Sequence, residues 1–486
     1  MTGWTADDVP YEVGVPMPDE FDVIVIGAGP AGEVAAGRAA AAGLSVAVVE
    51  KELAGGECSY WACIPSKALL RPVDLAGEAG RVPGVEMAPI DAKAVLAWRD
   101  SMVSGYDDSG QVRWIESAGV TLVRGRGRLA GARRVEVETQ GGDTRALTAR
   151  QAVVLATGST AVIPPVPGLA DARPWTNREA TGARAVPGRL VVVGGGVVAS
   201  EMAQAMRGLG AREVTMVVRG GGLLERLEPF AGEMVAASLT GQGVELRTNE
   251  NVEKVERPDP EGEVTVRLAS GRTLVADEIL VATGRRPATG DLGLATVGLE
   301  ERGPVRVDGS MRATGVGDGW LYAIGDVNGL SPLTHMGKYQ GRVCADVIVA
   351  RSRNAADDRP SMRDRADGMG APQVIFTDPQ VCAVGRTEAQ ARADGLDVRV
   401  VEYDMGQVAG GALLGEGYRG RAKAVVDERR RVLLGVTFVA PGAAELLHAA
   451  TIAVTAQVPL DDLWHAVPSF PTVSEVWLRL LEEYGL

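Results

Sequence analysis

Cysteine and histidine are scarce in this sequence, which limits the metal sites and disulfide frameworks that it can build. The 486 residues include four cysteines and three histidines, and no two cysteines have the CxxC spacing. A disulfide framework is therefore not expected, and neither is a metal site. No stretch approaches the roughly 18 consecutive apolar residues of a membrane span, so no membrane partner is expected.

Positive charge is also in deficit. Asp and Glu number 63 against 50 Lys and Arg, which gives a formal net charge of −13. Nucleic acid is therefore not an expected partner, because its phosphates would be repelled. Residues 1–20 are acidic and lack the basic-then-apolar pattern of an export signal. We interpret them as an N-terminal arm and predict a cytoplasmic protein.

Apolar residues are plentiful, and from Phe21 they predict a buried strand, a glycine turn, an Ala-rich helix and a second strand. Gly27, Gly29 and Gly32 form GxGxxG at the strand–helix junction. This spacing lets the chain turn, lets backbone approach a pyrophosphate and lets the helix pack on the strand. Glu50 ends the second strand, where its carboxylate can accept hydrogen bonds from a ribose. The pattern predicts a dinucleotide-binding fold.

A second copy of this pattern occurs later in the chain, with Gly194, Gly196 and Ala199 at the turn. Two such folds imply two dinucleotides and electron transfer between them. Arg219 stands where the first copy has an acid, and Arg226 follows seven residues later. An acid would repel a 2′-phosphate that arginines bind. We therefore predict NADPH rather than NADH as the reductant. The alternative is that these arginines only form the solvent-exposed end of a strand.

Two short repeated segments support the duplication of the nucleotide fold. ATGS at 156–159 and ATGR at 282–285 each close a segment of alternating apolar residues, which predicts small sheets returning the chain to each nucleotide fold. Asp326 follows the apolar run LYAIG. A carboxylate at this strand end can hold a hydroxylated ribityl chain.

The stretch GGECSYWACIPSK carries Cys58 and Cys63. In a regular helix, residues five apart are separated by a rise of about 7.5 Å, beyond the ~7 Å Cα limit for a disulfide. They can bridge only if the segment between them is distorted. Pro65 suits the first turn of a helix, which places Cys63 near its positive end and favours a thiolate. We interpret the pair as redox-active, the alternative being two small buried side chains near a cofactor.

These motifs together resemble the class I pyridine nucleotide–disulfide oxidoreductases, the family of dihydrolipoamide dehydrogenase, glutathione reductase and mercuric reductase. The resemblance covers nearly the whole chain. The matching pieces are GxGxxG at 27–32, CxxxxCxPSK at 58–67, the second nucleotide fold at 194, both ATG segments, AIGD at 323–326 and FTDPQVCAVGRTE at 376–388.

The resemblance implies an α/β protein with two Rossmann-like dinucleotide-binding domains and a C-terminal α+β dimerisation domain, assembled as a homodimer. The implied domains are an FAD domain at 21–168 and 289–365, an NAD(P) domain at 169–288 and a dimerisation domain at 371–486. Cys63 is expected against the flavin, with Cys58 exchanging with substrate. Lys67 is expected near the flavin ring and paired with Glu201.

The candidate cofactor-binding set extends beyond the residues named for the two glycine turns. Cys58 and Lys67 belong to it as well as to the catalytic set. Its other members are turn and loop residues, namely Pro30, Ala31, Lys51, Gly56, Gly127, Thr157, Gly158, Gly284, Arg285, Gly325, Thr334 and His335.

One departure from the family pattern changes the expected function. The resemblance implies that disulfide-reducing members carry HPTxSE near the C-terminus and that the partner subunit donates this motif to the site. Its histidine is the acid–base, and its glutamate orients that histidine. This chain has FPTVSE, with Phe470 in the place of the histidine and Glu475 retained. Phenylalanine cannot carry a proton, and His465, five residues upstream, is the alternative base. The terminal segment LRLLEEYGL lacks the cysteine pair of mercuric reductase, which argues against that activity.

The sequence therefore predicts an FAD enzyme that takes hydride from NADPH and passes electrons to a small acceptor such as a quinone or dye. The alternative enzyme is a dithiol–disulfide oxidoreductase of the dihydrolipoamide dehydrogenase type. An alternative from another class is a low-turnover FAD-binding redox sensor or scaffold.

Overall fold

The computed structural model describes residues 19–139 and 141–486. The predicted N-terminal arm therefore lies outside the described residues, apart from its last two positions. Among the described residues, no helix is both long and apolar enough to cross a membrane.

The first part of the chain forms a mixed sheet covered by helices. Its elements are β1 (Glu20–Ile26), α1 (Pro30–Ala41), β2 (Val46–Glu50), α2 (Gly56–Tyr60), α3 (Cys63–Gly80), α4 (Ala92–Met102), α5 (Ser109–Ser117), β3 (Val120–Arg124), β4 (Arg126–Leu129), β5 (Arg134–Glu138) and β6 (Thr144–Leu155). The strand order is β3-β2-β1-β6-β5-β4. Strand β1 pairs in parallel with β2 and β6 and is buried on both faces, as its unbroken apolar run predicts.

The next part contains the second glycine turn. Its elements are β7 (Ser159–Ala161), α6 (Asn177–Thr181), β8 (Arg189–Val193), α7 (Val197–Gly208), β9 (Glu213–Val217), α8 (Pro229–Gly241), β10 (Val244–Arg247), β11 (Val252–Glu256), β12 (Val264–Leu268), β13 (Thr273–Ala276), β14 (Glu278–Val281) and β15 (Arg285–Pro287). A parallel sheet has the order β10-β9-β8-β14, and β11, β12 and β13 form an antiparallel sheet. The predicted strand–turn–helix–strand repeat is therefore present twice.

The chain then returns to the first sheet. Strand β16 (Leu321–Ala323) pairs in parallel with β6, and α9 (Thr334–Ser352) packs against α1. Glycines allow this close approach, because a Cβ at Gly341 would lie 2.8 Å from the carbonyl oxygen of Ala31, and one at Gly337 would lie 3.2 Å from the Cβ of Ala31. The start of α9 is thereby held beside the first glycine turn.

The C-terminal part is an antiparallel sheet with helices. Its elements are β17 (Gln373–Ile375), β18 (Gln380–Gly385), α10 (Glu388–Ala393), β19 (Val398–Asp404), α11 (Ala409–Ala412), β20 (Arg421–Asp427), β21 (Val432–Ala440), α12 (Leu447–Ala456), α13 (Leu460–Trp464) and α14 (Val476–Tyr484). The strand order is β17-β18-β21-β20-β19. All nine residues of β21 are buried. The predicted α/β fold class with a C-terminal α+β unit is confirmed, whereas the residue boundaries of the three domains stay a prediction.

Candidate active site

The first glycine turn joins β1 to α1 and is shaped to admit a ligand backbone. Gly27 has φ 108°, and a Cβ there would lie 2.4 Å from the carbonyl oxygen of Ala156. A Cβ at Gly32 would lie 2.0 Å from the carbonyl oxygen of Gly27. In contrast, nothing approaches within 4 Å of a Cβ at Gly29, which begins α1 without a side-chain cap. This open helix end suits a pyrophosphate.

Two carboxylates lie at the ends of the strands beside this turn. Glu50, at the end of β2, accepts hydrogen bonds from the backbone of Ala28 and Glu52, both at 2.8 Å. Glu50 is 9% exposed, and these two hydrogen bonds hold its carboxylate beside the glycine turn. Asp326 follows β16, and its Oδ2 accepts a hydrogen bond from Ser159 Oγ at 2.5 Å.

The second glycine turn repeats the first between β8 and α7. A Cβ at Gly194 would lie 2.4 Å from the carbonyl oxygen of Ala282, whereas Gly196 faces open space. Arg219 and Arg226 follow β9 and are both exposed. In the described part of the chain, neither arginine is paired with a carboxylate. Two uncompensated cations therefore lie near this turn.

Cys58 and Cys63 lie on consecutive helices. Cys58 is on the five-residue helix α2 and Cys63 is the first residue of α3, as Pro65 predicts. Both are free thiols, and the Sγ of Cys63 lies 3.2 Å from the hydroxyl oxygen of Thr334 at the start of α9. The distortion that the spacing requires is the break at Trp61 and Ala62 between the two helices.

The two thiols differ in acidity. Hydrogen bonding from Cys58 and from Thr334, together with the charge of Lys67, lowers the pKa of Cys63 against the opposing effect of burial. Hydrogen bonding to Cys63 and burial raise the pKa of Cys58 above its ordinary range. Cys63 is therefore the more acidic of the two thiols.

Lys67 lies one helical turn after Cys63 and is fixed by a second part of the chain. Its Nζ donates a hydrogen bond to Glu201 Oε2 at 2.8 Å. Glu201 is 3% exposed on α7, and its Oε1 accepts from the backbone N–H of Phe376 at 2.9 Å. The ammonium group also lies 4.8 Å from the centre of the Phe376 ring. The structure thus brings together the pair that the resemblance implied.

The remaining candidate positions lie in turns and loops or at the start of a helix, apart from Gly127. Thr157 Oγ1 donates to the carbonyl of Ala288 at 3.0 Å, and His335 Nε2 lies 2.7 Å from the carbonyl oxygen of Pro372. Lys51 is exposed. The glycines Gly56, Gly158, Gly284 and Gly325 all have positive φ. Gly127 differs from them, because it lies in β4 and a Cβ there would lie 3.0 Å from the Val49 side chain and 3.2 Å from that of Ile26.

Arg285 is fully engaged by protein groups. Its Nε and Nη2 donate to the side chain and the carbonyl of Ser159, both at 2.8 Å. Its Nη1 donates to Asn177 Oδ1 at 2.8 Å. The sequence offers no spacing that predicts these contacts, because they join positions more than 100 residues apart.

The C-terminal motif carries one exposed and one buried residue. The side chain of Phe470 is 74% exposed, and Glu475 is 7% exposed. Arg479 donates to Glu475 Oε1, while Oε2 is buried without a hydrogen-bond partner among the described residues. His465, the alternative base, is exposed.

The open N-terminal ends of α1 and α7 and a polarised thiol pair, in which Cys63 is more acidic than Cys58, indicate a dinucleotide-dependent redox enzyme. A family model for pyridine nucleotide-disulphide oxidoreductases matches residues 21–341, and a model for their dimerisation domain matches residues 371–480. The chain therefore belongs to the pyridine nucleotide–disulfide oxidoreductase family, whose members are FAD-dependent enzymes that use NAD(P)H. The dimerisation domain indicates a homodimer.

Individual proteins that are similar to this chain agree with the family assignment. The chain is 34% identical to a dihydrolipoyl dehydrogenase from Thermus scotoductus over 95% of this chain and 97% of the relative. It is 29% identical to a mercuric reductase from Staphylococcus aureus over 94% of this chain and 81% of the relative. The structure of LpdA from Mycobacterium tuberculosis is similar with a TM-score of 0.82 and 27% identity, covering 96% of this chain and 100% of that chain.

The residues present fit FAD in the first turn. The open end of α1 at Gly29 suits the diphosphate, Glu50 retains lone pairs for a ribose, and Asp326 lies at the neighbouring strand end. Thr334 and Cys63 meet at the start of α9, which packs on α1. The fit to FAD therefore rests on the shape of the first glycine turn and on two nearby carboxylates that can accept hydrogen bonds from hydroxyl groups.

Proposed function

We propose that this enzyme oxidises NADPH and reduces a small acceptor such as a quinone or dye. The observation that carries the proposal is Phe470, an exposed phenyl ring where the family resemblance places a histidine. Bound FAD supplies the ability to accept a hydride and to release its electrons singly or in pairs. The acceptor can then be one that needs no proton from an imidazole.

The chain's own residues have separate roles in this proposal. Glu50 and Asp326 would hold the flavin nucleotide by accepting hydrogen bonds from its hydroxyls. Thr334 donates to Cys63 and stabilises it as a thiolate. Lys67 is held by Glu201, so its positive charge has one position beside the thiol pair.

The acidity of the thiols supports a restricted acceptor range. Exchange through Cys58 needs a base, because hydrogen bonding to Cys63 and burial raise the pKa of Cys58. General acid–base catalysis contributes about 10²–10⁴-fold in such steps. Phe470 cannot supply it, and Glu475 is already paired with Arg479. Disulfide substrates should therefore be reduced slowly.

The preference for NADPH is supported by Arg219 and Arg226. Both are exposed beyond β9 and uncompensated in the described part of the chain. A guanidinium group can form two charge-assisted hydrogen bonds with a 2′-phosphate. NADH, which lacks this phosphate, would gain nothing from them.

A second candidate is a dithiol–disulfide oxidoreductase of the dihydrolipoamide type. It is favoured by the polarised Cys58–Cys63 pair, which is the arrangement of an exchanging thiol and a stabilised thiolate, and by the dihydrolipoyl dehydrogenase relatives. A low-turnover sensor or scaffold is disfavoured, because both glycine turns are open for ligands.

Steady-state NADPH oxidation with a panel of acceptors distinguishes the three. Rapid turnover with quinones and slow turnover with lipoamide and oxidised glutathione is the expected result. Rapid turnover with lipoamide favours the second candidate, and slow turnover with every acceptor favours a sensor or scaffold.

A further inference from the structure

Helix α2, which carries Cys58, is too short to be stable by itself. It has five residues, begins after Gly55 at φ 107° and has no side-chain cap at its N-terminus. Helix nucleation is unfavourable and isolated helices of this length do not persist in water. The position of Cys58 must therefore come from contacts that other parts of the chain make with α2.

Helix α6 makes these contacts at both ends of α2. Glu57, the residue before Cys58, accepts hydrogen bonds from Arg178 Nε and, at 2.9 Å, from Asn177 Nδ2. At the other end, the carbonyl of Trp61 accepts from Asn177 at 2.8 Å and from Thr181 at 3.1 Å. The guanidinium group of Arg178 also lies 4.2 Å from the centre of the Trp61 ring.

Arg285 extends this contact toward the flavin end of the site. Its Nη1 donates to Asn177 Oδ1, and its Nη2 lies 3.8 Å from a Glu57 oxygen. Its Nε donates to Ser159, whose hydroxyl donates in turn to Asp326. An unbroken series of hydrogen bonds thus joins Asp326 to Glu57.

We propose that Glu57 is a positioning residue that holds Cys58 beside Cys63 by anchoring α2 to α6 and Arg285. The carboxylate acts through the helix and touches neither thiol. Its side chain is 29% exposed and Asn177 is 7% exposed, so the contact is only partly screened by solvent. The inference concerns the thiol pair and does not depend on which acceptor the enzyme uses.

The substitution Glu57→Gln tests this on the full-length, FAD-loaded protein after reduction. Glutamine keeps the size of the side chain but removes the charge that binds Arg178. The readouts are the iodoacetamide alkylation rate of Cys58, followed by peptide mass spectrometry, and the equilibrium of the Cys58–Cys63 disulfide with a glutathione buffer. We expect Cys58 alkylation to rise about 10-fold, the order of effect of losing a charge-assisted hydrogen bond, and the disulfide equilibrium to move toward the reduced form.

Glu52→Gln is the matched control. Glu52 accepts from the same Arg178 at 3.0 Å but lies outside α2, so alkylation should stay within about 2-fold of the wild type, as for an exposed ion pair. If Glu57→Gln fails to retain FAD, Arg178→Met removes the contacts of Arg178 with Glu57 and with the Trp61 ring from the α6 side and should give the same rise. Equal alkylation rates in the Glu57→Gln protein, the Glu52→Gln protein and the wild type would overturn the proposal.

Discussion

Restoring a proton donor at position 470 is the perturbation that the structure makes most informative. In the single chain Phe470 is 74% exposed, so Phe470→His introduces an imidazole without repacking that chain's own core. Glu475 retains one buried carboxylate oxygen with no hydrogen-bond partner among the described residues. That oxygen can accept from the new imidazole N–H and orient the ring. The variant should therefore gain reduction of lipoamide and of oxidised glutathione.

The size of the gain in disulfide turnover depends on how Arg479 and the new imidazole compete for the carboxylate of Glu475. A well-placed acid–base is worth about 10²–10⁴-fold, but Arg479 already binds the other oxygen of this carboxylate. We expect a gain in disulfide turnover of about 10-fold, below the full range because the imidazole shares its partner. Adding Arg479→Gln to Phe470→His releases the carboxylate, and the gain should increase further.

The assay is steady-state NADPH oxidation with a saturating disulfide across pH 5.5 to 8.5. The gain should follow a group with a pKa near that of histidine, about 6.5. Phe470→Leu removes the ring without adding a proton donor and should show no gain. Adding Cys58→Ser to Phe470→His should abolish it. Equal gains in the leucine and histidine variants would refute the reasoning, since the proton would then be irrelevant.

Three further substitutions test the thiol pair, the nucleotide preference and a half-buried acid. Thr334→Val removes the hydroxyl that bonds Cys63, so the alkylation rate of Cys63 at neutral pH should fall about 5-fold. An unchanged dependence of that rate on pH would contradict this role of Thr334. Arg219→Glu should raise the KM for NADPH by about 10-fold or more and spare NADH. The control is Arg302→Glu, at an exposed arginine in the segment between β15 and β16, outside the second glycine turn, and it should change neither KM. Equal kcat/KM for both nucleotides in the wild type would rule out the assignment. Burial raises the pKa of the Asp74 carboxyl to about 7, so the stability of the wild type should fall as pH rises from about 4 to 7 and level off above that. Asp74→Asn should then be more stable at pH 8 by about 1 kcal/mol, discounted for partial exposure, with no difference near pH 4 in urea unfolding; an equal difference at both pH values would contradict it.

The features that local sequence predicts are those with local causes. The apolar runs of β1 and β8 and the glycines that follow them predict both nucleotide folds, because the turn and the helix start are built from consecutive residues. Pro65 likewise predicts that α3 begins near Cys63. The Lys67–Glu201 pair is different, because 134 positions separate its members and only the family resemblance suggested it.

Contacts made by the folded topology left no signal in the sequence. Thr334 reaches Cys63 across 271 positions, because α9 packs on α1. Glu57 meets Arg178 across 121 positions, and its place in the chain beside a cysteine does not show which residues it binds. These pairings follow from how the sheets and helices stack, which no local pattern records.

The central claim is that electrons from NADPH pass to a small acceptor and only slowly to a disulfide. The most direct test is a comparison on one preparation of the wild-type enzyme, with flavin reduction by NADPH followed in a stopped-flow instrument, then turnover with a quinone and with lipoamide. We predict rapid flavin reduction and rapid quinone turnover, with lipoamide turnover slower by about 10² or more, the lower value of an acid–base contribution. Lipoamide turnover at about 10 s⁻¹ or above, typical of an enzyme with its natural substrate, would contradict the account.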